Sequence, residues 1–139
     1  MVDDHLPYAW SLEDLRVYQS ALRVCEEIFE MTMSFPSEER YSLTDQIRRS
    51  SRSIGAQIAE AWGKRRYERH FISKITDANA ERLETLHWLR VARHCGYIEE
   101  CEANALLDRL DSIGKMLHSM TRQASRFCKP QGESVRSKQ

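Results

Sequence analysis

The residues that come nearest to a catalytic pattern are Glu84 and His87, which form a single Glu-x-x-His motif. On a helix this spacing places both side chains on one face, as in carboxylate proteins that bind two metal ions. Those proteins carry the motif twice and add two further glutamates, whereas this chain carries it once. We therefore expect an ordinary polar pair here, and a metal-dependent enzyme is the less favoured alternative.

Other arrangements that could support catalysis or hold a cofactor are incomplete. His94, Cys95 and Cys101 are close in the sequence, but a structural zinc site needs four ligands at tighter paired spacings. The serines between positions 50 and 53 have no histidine in the same segment to activate them, and the five glycines are isolated. We expect no catalytic residue, no metal and no cofactor, and hence a protein that is not an enzyme.

A basic cluster is the best candidate for a binding surface. Its cations could neutralise phosphates while the neighbouring Trp62, Tyr67 and His70 stack on bases, which predicts RNA or DNA as a partner. The alternative is a solvated helix end and loop whose charge offsets acidic neighbours. The candidate nucleic-acid-binding residues are Arg48, Arg52, Lys64, Arg65, Arg66 and Arg69.

A second candidate surface is a stripe of hydrogen-bonding side chains at helical spacing, beside an apolar line on the same predicted helix. Arg49 and Glu60 in this stripe are about three turns apart, so they cannot pair with each other. Each would need a partner from another helix or subunit, which predicts a polar junction between helices or between subunits. The stripe consists of Gln46, Arg49, Ser53, Gln57 and Glu60.

The composition favours a helical protein with segregated charge. Of the 139 residues, 41% are hydrophobic and 30% charged, with five glycines and three prolines, which suits one all-α domain. The net charge is zero, yet it alternates as −6, +5, −4 and +5 over residues 1–40, 41–75, 76–114 and 115–139. This alternation keeps neighbouring helices electrostatically compatible, or it marks a basic binding face.

The chain shows no pattern for a membrane span or for secretion. Its four cysteines form no C-x-x-C pair, and no apolar leader with a cleavage site precedes Trp10. We therefore expect reduced thiols, a cytoplasmic location and no membrane partner.

Four helices follow from the apolar periodicity and its stops. They are predicted over residues 10–33, 42–62, 67–95 and 100–127, within a domain at 11–127 between an N-terminal extension (1–10) and a disordered tail (128–139). Short loops between helices of this length favour an antiparallel up-down-up-down four-helix bundle over a coiled-coil rod. The first helix is expected to bury Leu15, Tyr18, Leu22, Cys25 and Phe29, and the last Leu106, Leu110, Ile113, Leu117, Met120, Ala124 and Phe127.

Caps and glycines give local predictions. Ser11 is expected to cap the first helix, and Ser42 with Asp45 to form a capping box for the second. Gly55 in mid-helix indicates close approach of another helix, and Gly96 is placed to close the third helix in the left-handed conformation.

Several segments resemble a known family. LEDLRVYQSA (12–21), FPSEERYSLTDQIRRSSRSIGAQIAEAWGKR (35–65), ERLET (81–85) and CGYI (95–98) are similar to bacterial four helix bundle proteins encoded within intervening sequences of 23S ribosomal RNA genes. The accessory variability proteins of diversity-generating retroelements are similar to that family. The family's characteristic positions are Gln46, Arg48, Arg49, Ser53, Ile54, Ala59 and Glu60, and the chain departs from its pattern at Gln57 and Ala61.

The resemblance implies a ring-like homopentamer without established enzymatic activity. In the retroelement relatives it further implies a basic surface that engages nucleic acid and a reverse transcriptase. We therefore expect a non-enzymatic homo-oligomer, a pentamer, that acts as a scaffold or as a module binding nucleic acid or protein. The alternative is an accessory protein of a reverse transcriptase in a diversity-generating retroelement, binding RNA and the polymerase.

Overall fold

The computed structural model describes residues 11–128, which are α-helical with short loops and contain no β-strand. Within residues 11–128 there are five α-helices: α1 (Arg16–Thr32), α2 (Leu43–Gly63), α3 (Glu68–His94), α4 (Glu100–Arg122) and α5 (Ala124–Phe127). Two 3₁₀ turns, Leu12–Asp14 and Ser37–Glu39, precede α1 and α2. The predicted all-α class is confirmed, while the N-terminal extension and the tail beyond Cys128 lie outside the described residues.

The four long helices are packed in neighbouring pairs around one apolar core. α2 packs most extensively on α3, and α1 contacts both α2 and α4. α3 also contacts α4, and the short α5 lies against α3 and α4. The core includes Ile28, Ile47, Ile58, Phe71 and Leu110, all fully buried, so every long helix contributes to it.

The predicted buried line of the first helix is correct only at its start, where Leu15 is buried and Tyr18 packs half-buried against the core. Leu22 and Phe29 are 45% and 39% exposed, and the buried line lies one residue away. The first helix has apolar residues at helical spacing on two neighbouring lines, and the line with Ala21 lets α1 approach Gly55 of α2. The buried residues of α1 are Val17, Ala21, Val24, Ile28, Met31 and Thr32.

The start of α1 also differs from the sequence prediction. Ser11 precedes a 3₁₀ turn, and its backbone N–H donates to Asp14 Oδ2 at 3.1 Å. Leu15 is extended, with φ −76° and ψ 123°, so the α-helix begins only at Arg16. The cap at Ser11 therefore belongs to the turn rather than to α1.

Glu39, and not Asp45, caps α2. Ser42 Oγ donates to Glu39 Oε1 at 2.6 Å, and the backbone N–H of Leu43 donates to the same oxygen at 3.2 Å. The other carboxylate oxygen accepts a hydrogen bond from Tyr97 Oη at 2.8 Å. Since the Ser42 backbone, at φ −123° and ψ −100°, is not that of a standard N-cap, its hydroxyl makes no cap bond. The carboxylate thus joins the start of α2 to the loop after α3.

The other predicted boundaries are close to those observed. Gly96 has φ +81°, and Tyr97 N–H donates to the Ala92 carbonyl at 3.0 Å, which closes α3 as predicted. The predicted fourth helix is interrupted at Gln123, where α4 ends and α5 begins. Its apolar line is nevertheless buried from Leu106 to Ala124, and Phe127 stacks on Phe71 with ring centroids 6.0 Å apart.

The space around Gly55 can hold a side-chain methyl group, although its position in mid-helix indicated a closer contact. A Cβ at Gly55 would lie 3.7 Å from Tyr18 Cε1 and 3.9 Å from Ala21 Cβ, which is ordinary contact. α1 therefore comes close to Gly55 without requiring glycine there. Gly55→Ala should raise the free energy of unfolding by about 0.5–1 kcal/mol, because alanine loses less backbone entropy in a helix.

Chemical denaturation of Gly55→Ala and of a matched variant, Gly96→Ala, tests this prediction. Gly96→Ala should be destabilising because its positive φ strains a residue that has a Cβ. A clear loss of stability in Gly55→Ala would contradict the contact geometry.

Tyr97→Phe should change how stability depends on pH. Hydrogen bonds from Ser42, Tyr97 and Leu43 lower the pKa of Glu39 below its ordinary 4.5. Its contribution to stability is therefore present above pH 4.5 and lost as the pH falls through the lower folded value. Without the Tyr97 hydroxyl the pKa of Glu39 should rise toward 4.5, which a carbon-13 NMR titration of the carboxyl group measures.

Tyr97 itself should make stability depend on pH in the alkaline range. The bond to Glu39 raises the pKa of Tyr97 from 10.0 to about 12. This stabilisation is complete below pH 10 and is lost as the pH rises toward 12, so thermal denaturation of Tyr97→Phe should lack that alkaline loss. An unchanged Glu39 pKa in the variant would contradict the contact.

Candidate nucleic-acid interface

The structure divides the predicted basic cluster between two places. Arg48 and Arg52 lie in the first half of α2, whereas Lys64, Arg65 and Arg66 lie in the turn between α2 and α3 and Arg69 lies in the first turn of α3. Along α2, Arg52 and Lys64 are separated by about 18 Å of helix. The six candidate cations therefore do not form one continuous patch.

Arg48 and Arg52 are engaged by α1. Arg48 Nε donates to Thr32 Oγ1 at 2.7 Å, and its guanidinium carbon lies 4.6 Å from the centroid of the Phe29 ring. The guanidinium carbon of Arg52 lies 5.6 Å from the same ring. These cation–π contacts hold both arginines along the groove between α1 and α2, so they help to join two helices.

Arg65 closes the end of α2. Its guanidinium carbon lies 3.5 Å from the centroid of the Trp62 ring, and its Nε donates to the Trp62 carbonyl at 2.8 Å. Partial burial lowers the pKa of Arg65. A cation beside the last carbonyls of a helix is stabilised by the helix dipole. Arg65 therefore has a structural role at this end and is less available for phosphates than its neighbours.

The remaining three cations of the turn are exposed, and none forms an ion pair within residues 11–128. Tyr67, 58% exposed, and the exposed His70 lie among them, with ring centroids 5.4 Å apart. We call this group the turn surface; it consists of Lys64, Arg66, Tyr67, Arg69 and His70. It combines free positive charge with two accessible rings.

The polar stripe of α2 meets α3 at its C-terminal part. Lys74 Nζ lies 2.9 Å from Glu60 Oε1 and donates to Gln57 Oε1 at 3.4 Å. The hydrogen bond to Glu60 is the largest cause of the raised pKa of Lys74, and the charge of Glu60 and Asp77, 3.5 Å away, contributes further. Glu60 therefore has a partner on another helix of its own chain.

The N-terminal part of the stripe is arranged differently. Arg49 Nε lies 3.8 Å from Asp45 Oδ2, so the expectation that Arg49 needs a partner outside its own helix is wrong. Asp45 is one turn before Arg49, the spacing at which helical side chains meet. Gln46 is exposed and Ser53 is half-buried. A role for these residues between subunits stays a prediction.

An apolar strip remains on the outer side of α1. Its members recur at steps of three and four residues, and Met33, 68% exposed, is the most open of them. The half-buried Cys25 thiol has its pKa raised by burial. We call this group the α1 strip; it consists of Leu22, Cys25, Phe29 and Met33, with Arg48 and Arg52 along its edge.

The weaker chemical candidates are surface groups. Trp88 Nε1 donates to Glu84 Oε2 at 3.1 Å, and the His87 ring lies edge-on to Trp88 with centroids 4.7 Å apart. His94, Cys95 and Cys101 are exposed. Within residues 11–128, no three His, Cys, Asp or Glu side chains are grouped so that they could hold a metal ion.

Sequence reasoning missed Lys74 and the exposure of Phe29. Lys74 could have been found, since Glu60 and Lys74 are equally far from Tyr67 in the sequence and antiparallel neighbours would bring such residues together. Phe29 had no such signal, because the apolar periodicity of α1 allows either line to be buried.

These features define an all-α protein with a basic, aromatic turn and no helix in the described part long and apolar enough to cross a membrane. The family model of the 23S rRNA-intervening sequence proteins matches residues 13–119. The chain belongs to that family.

A solved structure agrees with this membership. The chain is similar to a protein of unknown function from the S23 ribosomal protein family of Bacteroides thetaiotaomicron, with 26% sequence identity and a TM-score of 0.68. The similarity covers 77% of this chain and 99% of the other. No curated protein matches the chain.

Proposed function

We propose that this protein is a non-enzymatic homo-oligomer that binds single-stranded nucleic acid through the turn surface. The observation that carries the proposal is that Lys64, Arg66 and Arg69 are exposed without ion pairs beside the accessible rings of Tyr67 and His70. Unpaired cations attract phosphates, and accessible rings stack on unpaired bases. A duplex hides the faces of its bases, so single strands suit this surface better.

The charge of the segment supports the same partner. Residues 64–70 contain four cations and one carboxylate, Glu68, although the whole chain has no net charge. Contact with phosphates depends on the local field, which screening confines to about 10 Å at 0.1 M salt. A neutral chain can therefore carry a locally basic binding surface.

The helix arrangement that would present this surface is an antiparallel four-helix bundle. Its support comes from contacts between residues equally distant from a loop: Glu60 and Lys74 around Tyr67, and Arg82 and Leu110 around Gly96. Such pairs are expected when two neighbouring helices run in opposite directions, because residue numbers then rise along one helix and fall along the other. In that arrangement the turn between α2 and α3 lies at one end of the bundle.

The α1 strip is the surface that we assign to self-association. Leu22, Phe29 and Met33 are exposed apolar side chains on one helix, and association would remove them from water. Arginine beside an aromatic ring is also typical of the centre of protein interfaces. Together with the family resemblance, this supports a homopentamer that would act as a scaffold for several turn surfaces.

The reverse-transcriptase accessory function would use the same turn surface for RNA and would add the polymerase as a partner. A gene for a reverse transcriptase beside a template repeat would favour this alternative. For either function we place the protein in the cytoplasm.

Replacing Lys64, Arg66 and Arg69 by Gln should weaken binding of a single-stranded oligonucleotide with little change in stability. Each phosphate contact to a single strand contributes about 0.7 to the slope of log K against log salt, so the slope should fall by about 2. Fluorescence anisotropy of a labelled oligouridylate over a salt series measures both changes. Tyr67→Ala should lower the affinity without lowering the slope, since stacking releases no counterions.

The matched control replaces Arg90, Arg93 and Arg122 by Gln. These three arginines are exposed on α3 and α4, and their removal changes the net charge by the same amount. An equal loss of binding in both triple variants would mean that only net charge matters and would contradict the turn surface. Absence of binding at low salt by RNA and DNA oligonucleotides would contradict the nucleic-acid function itself.

Light scattering coupled to gel filtration should give five times the 16.3-kDa mass of the chain. Phe29→Glu combined with Leu22→Glu should reduce this mass, because association would bury unpaired charge. Leu83→Glu is the control, since Leu83 is a similarly exposed leucine on α3. A monomer at micromolar concentration would contradict the assembly, and dissociation by Leu83→Glu alone would contradict the choice of face.

A further inference from the structure

A cavity of about 340 Å³ lies between α3 and α4, and its lining on α3 begins at Ile75, about 8 Å of helix beyond His70 of the turn surface. Its lining includes the apolar side chains of Ile75 and Leu117 and several polar groups. The other lining residues are Gly114 and the polar Thr76, Asn79, Arg82, His118 and Thr121, and none of the residues that line the cavity is acidic. The volume is at the lower end of the range for ligand-binding pockets, and the lining has a few polar groups over an apolar base, so the cavity suits a small molecule.

Arg82 is the only residue of the lining that carries a permanent charge, and it is held in place. Its Nε donates to Asn79 Oδ1 at 2.8 Å, and its Nη1 donates to the Leu110 carbonyl at 3.3 Å. It forms no ion pair within residues 11–128. Partial burial lowers the pKa of Arg82, and the negative charge of Asp111 acts in the opposite direction. The Asp111 carboxylate itself lies 3.5 Å from Lys115. The guanidinium is therefore oriented by neutral groups and keeps donors for an anion.

The Arg82 guanidinium packs directly against α4 at Gly114, where there is no side chain. A Cβ at Gly114 would lie 2.5 Å from Arg82 Cζ and 2.8 Å from Arg82 Nε. Any side chain at this position would displace the guanidinium. The backbone of α4 and the Asn79 amide thus fix the arginine fork in advance of any ligand, which lowers the entropy that binding costs.

The remaining polar groups indicate what would accompany the anion. The amide nitrogen of Asn79 can donate, because its oxygen already accepts from Arg82. The hydroxyl protons of Thr76 and Thr121 are used on the carbonyls of Ile72 and His118, so their oxygens can accept from a ligand. The lining therefore offers donors for an oxyanion and acceptors for hydroxyl groups.

We propose that the Arg82 cavity binds a small hydroxylated oxyanion, such as the phosphate ester or the carboxylate of a sugar-sized molecule. Arg82 and Asn79 hold the oxyanion, and the two threonine oxygens accept from the hydroxyls. The proposal does not depend on nucleic-acid binding, because it uses none of the residues of the turn surface.

Nitrogen-15 NMR titration of the full chain tests this site with three probes: ribose 5-phosphate, gluconate and neutral ribose. We expect one or both anions to shift the amides of Asn79, Gly114 and His118, and ribose to shift none of them. The tighter anion identifies whether a phosphate or a carboxylate is preferred. Absence of amide shifts at about 10 mM of each anion would overturn the proposal, because even a site of millimolar affinity would be largely occupied at that concentration. Equal shifts with ribose would also overturn it.

Two variants separate the arginine from general effects of charge. Arg82→Gln should weaken anion binding by about tenfold or more, as expected for loss of a charge-assisted hydrogen bond. Arg90→Gln removes the same charge from an exposed position of α3 and should bind as the wild type does. Equal affinities of Arg82→Gln and the wild type would overturn the proposal.

Gly114→Ala provides a second test that keeps the charge. Its methyl group should displace the guanidinium and weaken the anion to a similar extent, while far-ultraviolet circular dichroism reports an intact helical fold. Unchanged anion affinity in a folded Gly114→Ala protein would show that the fixed arginine is not the site.

Discussion

The close packing of α2 against α3 is the constraint on which the rest of the structure depends. At its middle, the buried Thr85 hydroxyl is shared between Ser50 Oγ and the Glu81 carbonyl, each 2.9 Å away. Buried polar groups need partners of this kind, so the pair fixes how the two helices align. Nearer the turn, Lys74 bridges to Glu60. In the short connection after Gly63, Arg65 packs on Trp62, whereas Lys64, Arg66 and Tyr67 of the turn surface are exposed.

The same packing changes what the polar stripe of α2 means. Glu60 and Gln57 are satisfied within the chain by Lys74, and Arg49 is paired with Asp45 on its own helix. The stripe therefore gives less support to a junction between subunits than its pattern indicated. Within residues 11–128 the exposed apolar side chains of the α1 strip are a stronger physical reason for association, because contact with a partner would remove them from water.

The sequence predicted helix boundaries best where the backbone chemistry is restrictive. Gly96 adopts the left-handed conformation expected of it, and α2 ends at Gly63, one residue beyond the predicted end. Prediction failed where two buried faces fit the same periodicity. In α1 the two apolar lines differ mainly in how closely they let α2 approach. It also failed for the contact of Glu39 with Tyr97 and for that of Arg82 with the Leu110 carbonyl, because these partners are distant in sequence and no local pattern records such contacts. The candidate cations were all named from the sequence, but tertiary packing decides that Arg48 and Arg52 contact α1 while Lys64, Arg66 and Arg69 stay free of ion pairs.

Photo-cross-linking is the most direct test of the central claim, that single-stranded nucleic acid is bound at the turn between α2 and α3. A 4-thiouridine oligonucleotide cross-linked to the full chain, followed by mass spectrometry of peptides, would locate the contact. We expect adducts on Tyr67 or His70, the rings exposed among Lys64, Arg66 and Arg69. Adducts confined to the peptide that contains Phe29, beside Arg48 and Arg52, would contradict it.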